Sequence, residues 1–165
     1  KYGVIDLNNA YISLTYVDEG GMTNTVTIVY FVCADKSKII AVSTSYNFEG
    51  DMSYGHVFMR YKNGKFTDVT KTVLNGFSFK AFVGKDAVVD SAIDDYIMRN
   101  TANFKLPRNS TTVIVDMSMK QPFYPDCDLE VNEQAYAKTY GSKKYTSAEL
   151  VFDKAKGVFK IGKVK

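Results

Sequence analysis

Thr25-Val26-Thr27-Ile28-Val29-Tyr30-Phe31-Val32-Cys33-Ala34 runs without a charge and leads through Asp35-Lys36-Ser37-Lys38 into a second apolar run, Ile39 to Tyr46. Successive side chains of a strand point to opposite faces. Here Val29, Phe31 and Cys33 fall on one face and Val26, Ile28, Tyr30 and Val32 on the other. A strand apolar on both sides is expected at the centre of a sheet, covered on both faces. The polar tetrad predicts a turn, so the two runs read as an antiparallel hairpin. The fold is built outward from this pair.

Upstream, Ala10 to Val17 alternates, with Ala10, Ile12, Leu14 and Tyr16 on one side. Downstream, after a loop containing Asn47, Gly50 and Asp51, the run His56 to Tyr61 turns at Lys62-Asn63-Gly64-Lys65 into Phe66. Asn-Gly suits the two positive φ angles of a type I′ hairpin turn. In Thr111 to Met119, Val113, Val115, Met117 and Met119 oppose Thr112, Ile114, Asp116 and Ser118. Ala148 to Phe152 and Val158 to Ile161 form a further hairpin around Asp153-Lys154-Ala155-Lys156-Gly157. One amphipathic helix is expected over Asp86 to Arg99, where Val88, Val89, Ala92, Ile93, Tyr96 and Ile97 form a stripe. Asp86 is its expected N-cap, Asn100 its end, and Asp90, Asp94 and Asp95 its solvated acidic face. A weaker helix is expected over Leu129 to Tyr140, stopped at Gly141. The predicted fold is α+β: a mostly antiparallel sheet of seven to eight strands packed by one main helix, in a single domain spanning 1–165.

Composition narrows the function classes. The 165 residues include 12 Tyr, 11 Phe, no Trp, one His and two Cys, with 45% hydrophobic and 24% charged residues. Disorder, a disulfide-dense scaffold, a multi-histidine metal site and a multi-cysteine zinc cluster are excluded. The net charge is +3, Arg60, Arg99 and Arg108 are the only arginines, and Glu149 and Asp153 interrupt the lysines between Lys138 and Lys165. No continuous basic stripe exists for nucleic acid. No apolar run approaches the roughly 18 residues of a membrane span. A chain beginning at Lys1 is consistent with a removed signal peptide or lipid anchor, and the expected location is outside the cytoplasm, in the periplasm, on the outer-membrane surface or extracellular. Cys33 reads as a buried small hydrophobe. A Cys33–Cys127 disulfide is the alternative in an exported protein.

Catalytic chemistry has few anchors. Nucleophilic catalysis of the Ser–His–Asp kind would have to use His56, the one histidine, which lies on the strand face shared with Phe58 and Arg60. Carboxylate pairs are numerous but unanchored without geometry. Gly84-Lys85 precedes the helix without phosphate-loop spacing, so no nucleotide cofactor is expected. Asp126, Asp128 and Glu130 alternate in a loop as oxygen ligands for Ca²⁺ would, yet Val131 and Ala137 stand where an EF-hand needs Gly and Glu. Phe58, Phe66, Phe77, Phe79, Phe82, Phe152 and Phe159 read as core. Tyr46, Tyr54 and Tyr124 fall on expected loops, where tyrosine offers an apolar face with a polar tip to a protein or a glycan.

Tyr61-Lys62-Asn63-Gly64-Lys65-Phe66-Thr67-Asp68-Val69-Thr70-Lys71-Thr72-Val73-Leu74 resembles a phrase found in uncharacterised secreted and lipoprotein domains of Gram-negative bacteria, and Asp6-Leu7-Asn8-Asn9-Ala10-Tyr11 is similar to the opening of such domains. The resemblance implies export and a non-enzymatic role, and it transfers no catalytic residues. The expected function is an exported, non-catalytic domain that contacts protein or glycan through loop aromatics, with Tyr46, Tyr54, His56 and Tyr124 as candidate ligand-binding residues. The alternatives are a small hydrolase using His56 or paired carboxylates, and an inhibitor of an extracellular enzyme.

Overall fold

Turn chemistry sets the first half of the chain. The computed structural model describes residues 2–49, 51–84, 87–118 and 132–165, without the side chain of Phe48. Strands β1 (Tyr2–Asp6), β2 (Tyr11–Val17), β3 (Thr23–Val32), β4 (Lys38–Phe48), β5 (Asp51–Lys62) and β6 (Lys65–Asp68) form a six-stranded sheet in chain order, each antiparallel to the next. Between β3 and β4, Asp35 Oδ1 accepts from the Ser37 N–H at 3.0 Å and from its hydroxyl at 2.5 Å, while Lys36 adopts φ 64°. Between β5 and β6, Asn63 and Gly64 take φ 51° and 76°, as a type I′ turn demands.

A second sheet has the order β10-β9-β8-β7, from β7 (Asn103–Lys105), β8 (Thr112–Asp116), β9 (Ser147–Asp153) and β10 (Val158–Val164). Helices α3 (Ser91–Asn100) and α4 (Glu133–Gly141) and the single turns α1 (Thr70–Val73) and α2 (Lys80–Val83) complete the described residues. The architecture is mostly antiparallel β with few helices, as expected. Among the described residues the strands number ten in two sheets, however, and two helices of comparable length share the role assigned to one.

The sheets meet through aromatic rings. Directly paired residues of antiparallel strands share a face, and the in-register row Val29–Ala41–Phe58 lies on the inner face with Phe31 and Ile39. Phe31 contacts Phe152 and Phe159 at 5.1 Å between centroids, and Phe58 contacts Phe159 at 5.5 Å and Phe104 at 5.9 Å. Ile93, Tyr96, Ile97 and Met98 of α3, with Tyr136 and Tyr140 of α4, join the same core.

Four local expectations need correction. Helix α3 starts at Ser91, five residues after Asp86, because the Asp90 carboxylate caps it by accepting from the Ala92 and Ile93 N–H groups at 2.9 and 3.3 Å. Val88 then precedes the helix and is 99% exposed. Asp94 is not on a solvated face: its Oδ1 accepts from the Phe79 N–H at 2.7 Å, and burial pushes its carboxyl up. Phe66 is 59% exposed, since β6 is an edge strand and its outer face lies open. Thr25 to Ala34 is covered on one side only, with Tyr30 and Val32 40% and 42% exposed, because the second sheet and the helices all pack on the inner face.

The β9–β10 turn closes the seam between the sheets. Gly157 sits at φ 64°, and a Cβ there would stand 3.1 Å from Cys33 Sγ and 3.0 Å from Arg60 Nη2. The Ala34 N–H donates to Lys154 O at 2.9 Å across the same seam. Gly157→Ala is expected to lower stability by about 1–2 kcal/mol through left-handed strain and overpacking. An unchanged urea midpoint would contradict the seam.

Candidate functional site

Strand β5 carries two of the sequence-nominated residues, Tyr54 and His56, both on its inner face. Tyr46 is on β4. It pairs with Ser53, whereas Tyr54 pairs with Ser45, so the two tyrosines point to opposite faces of the sheet. Neither is on a loop, because only Glu49 and Gly50 separate β4 from β5. Tyr124, Asp126, Asp128 and Glu130 lie outside the described residues, as does Cys127, while Cys33 is a buried free thiol. Tyr46 and Tyr54 therefore do not share one contact surface.

His56 is largely buried between rings. Its imidazole stacks on Phe104 at 3.9 Å and meets the edge of Phe58 at 6.3 Å. Among the described residues Nδ1 is buried with no hydrogen-bond partner, and burial alone holds the pKa down to about 4, so the ring is neutral at pH 7. A catalytic histidine of the Ser–His–Asp type needs a carboxylate on one ring nitrogen to orient it and stabilise its charged form. Among the described residues no such group reaches Nδ1.

Beside Tyr54 the inner face ends in a polar cluster. Tyr54 is buried and hydrogen-bonds Asn103, and burial pushes its phenol up. Lys105 pairs with Asp116, whose Oδ1 also accepts from the Ser118 N–H at 2.8 Å. Burial pushes Asp116 up, but these donors together outweigh it and leave its carboxyl below the usual range. The Tyr140 hydroxyl donates to Met117 O at 3.0 Å. The Lys143 ammonium donates to the same carbonyl and to the Tyr140 oxygen at 3.2 Å, and lies 4.3 Å from that ring's centroid. Burial lowers the Lys143 pKa and raises that of Tyr140 above the phenol range. These donors fix the end of β8 against α4.

The opposite face of the six-stranded sheet is apolar and open. Register aligns Ile5, Ile12, Ile28, Val42 and Val57 in one row. Leu14 and Val26 occupy the next row on one side, and Tyr30, Ile40 and Met59 the next on the other. Aromatics stand at both ends: Tyr16 and Tyr46 at one, Tyr61 and Phe66 at the other, the latter pair 4.9 Å apart. Lys38 Nζ lies 4.7 Å over the Tyr30 ring at that second end. None of these side chains belongs to the core. The row Ile5 to Val57 contains no charge, and charged residues are depleted at the centres of protein interfaces. On the inner face beyond the second sheet the same strands carry hydroxyls, with Ser13–Thr27 at 3.2 Å and Thr15–Thr25 at 3.0 Å.

Sequence reasoning nominated Tyr46 on this surface and missed the rest. The available signal is the second apolar face of Val26, Ile28, Tyr30 and Val32, which in the sequence alone reads as covered. Among the described residues no group of three or more His, Cys, Asp or Glu is placed to hold a metal ion. No helix among them is long and apolar enough to cross a membrane. No protein-family model, curated protein or solved structure matches the chain.

Proposed function

We propose that the chain is an exported, non-catalytic binding domain that contacts protein through the open face of its six-stranded sheet. The observation that carries this reading is the uncharged row Ile5–Ile12–Ile28–Val42–Val57, flanked by further apolar residues, with tyrosines towards both ends of the strands and no core side chain among the described residues packed on it. A protein surface is favoured over a glycan because the aliphatic centre offers no side-chain hydrogen bonds to sugar hydroxyls. The export element rests on the resemblance of Asp6–Tyr11 and Tyr61–Leu74 to secreted and lipoprotein domains. The non-catalytic element is supported by His56, enclosed by rings with its Nδ1 unpaired.

The test places a photo-crosslinker on each face. Benzoylphenylalanine in place of Val42, photolysed with the chain among the proteins of its native compartment, is expected to give covalent protein adducts. The same group in place of Thr25, on the hydroxyl-bearing face, is expected to give none. Adducts from Thr25 alone, or adducts only to lipid or glycan, would overturn the reading.

A further inference from the structure

We infer that the occupant of the open face is a second copy of this chain, packed sheet on sheet about a two-fold axis. The inference rests on the protein-contact reading of that face and names its partner. Size is the first argument. Six strands about 4.8 Å apart make a face about 24 Å across, and the eight residue steps from Asn24 to Val32 make it about 27 Å long. Allowing for the short outer strands, the planar footprint is on the order of 500–600 Å², and its accessible area is larger because the side chains stand proud. A stable interface buries about 800 Å² on each partner. One such face matched with itself reaches that scale.

Shape and charge supply the second argument. Two flat, apolar sheet faces pack about 10 Å apart with strands nearly aligned, the geometry of a β-sandwich. A two-fold axis lying in the interface and running across the strands reverses the strand direction of the second copy. Lys38, at the Tyr30–Tyr61 end, then lies over the end where β4 meets β5, which carries Glu49 and Asp51, while Asp68, on β6 at the Lys38 end of the same face, is set over no strand because β6 stops there. The symmetry makes that basic-to-acidic match twice, once at each end, while the uncharged centre meets itself. The tyrosines at the two ends face each other in the same arrangement, where rings contribute most to interface energy.

Sedimentation equilibrium of the 165-residue chain between 1 and 100 µM tests this directly. The expected mass is twice the 18.5 kDa of the chain, and Val42→Asp is expected to weaken association at least 100-fold. Leu14→Asp is the second variant: Leu14 is half exposed on the same face, so a charge there leaves the fold intact, as near-UV circular dichroism would verify. A wild-type monomer throughout the range would overturn the dimer while leaving the protein-contact reading to the crosslinking result. A dimer that survives both substitutions would overturn it too, and would point to pairing through the open edge of β1.

Discussion

Phe58→Ala is expected to remove about 3–5 kcal/mol of stability, the cost of deleting a fully buried aromatic ring from a close-packed core. Phe58 is completely buried and touches the rings of His56, Phe104 and Phe159, so it links the six-stranded sheet to both outer strands of the second sheet. Its row neighbours on the inner face are Ala41 and Val29, and their small side chains cannot swing into the space a ring leaves. A domain of this size has a total stability of about 5–15 kcal/mol, so one substitution consumes a large share. Phe66→Ala, on the open face of an edge strand, is expected to cost under about 1 kcal/mol. Urea unfolding followed by far-UV circular dichroism reads both. A Phe58→Ala loss below about 1.5 kcal/mol, or equal losses at the two positions, would show that the sheets are not joined through this ring.

The contrast between these two phenylalanines marks what the sequence could and could not reveal. Turns were legible because their chemistry is local: Asn63-Gly64 holds its own two positive φ angles, and the Asp153 carboxylate binds the Ala155 and Lys156 N–H groups within its own loop. Strand periodicity was legible for the same reason. Which apolar face would be covered was not, because β2, β3 and β4 are apolar on the outer face and partly so on the inner one. The choice is made by Phe104, Phe152 and Phe159, which arrive much later in the chain. The helix start was ambiguous because Asp86 and Asp90 each offer a carboxylate ahead of apolar residues, and the sequence does not say which of them caps; Asp90 has the extended backbone a cap requires. For the candidate site the deciding quantity was register. Tyr46 pairs with Ser53, and a shift of one residue would have put Tyr46 and Tyr54 on the same face. No local signal encodes that shift.

His56 is expected to make stability fall between pH 6.5 and pH 4. Burial between Phe104 and Phe58 lowers its folded-state pKa to about 4, against 6.5 for an unhindered imidazole. Above pH 6.5 the ring is neutral in both states and contributes no dependence. Below 6.5 the unfolded chain takes up a proton that the folded chain refuses, so the folded state loses ground as pH falls, by up to about 3 kcal/mol at pH 4. Further acidification adds nothing from this group, because both states then bind the proton. The chain has one histidine, so a single imidazole resonance in a proton NMR titration reports the folded pKa without assignment. A value near 4 is expected, and one at or above 6 would mean that water or a charge reaches the ring. His56→Phe removes the titration and also removes the unpaired Nδ1, so at pH 7 the variant is expected to match or exceed the wild type in stability. The difference between the two proteins should widen steadily from pH 6.5 to pH 4. If it stays constant while the carboxylates of both titrate alike, the histidine is not the group that weakens the fold in acid.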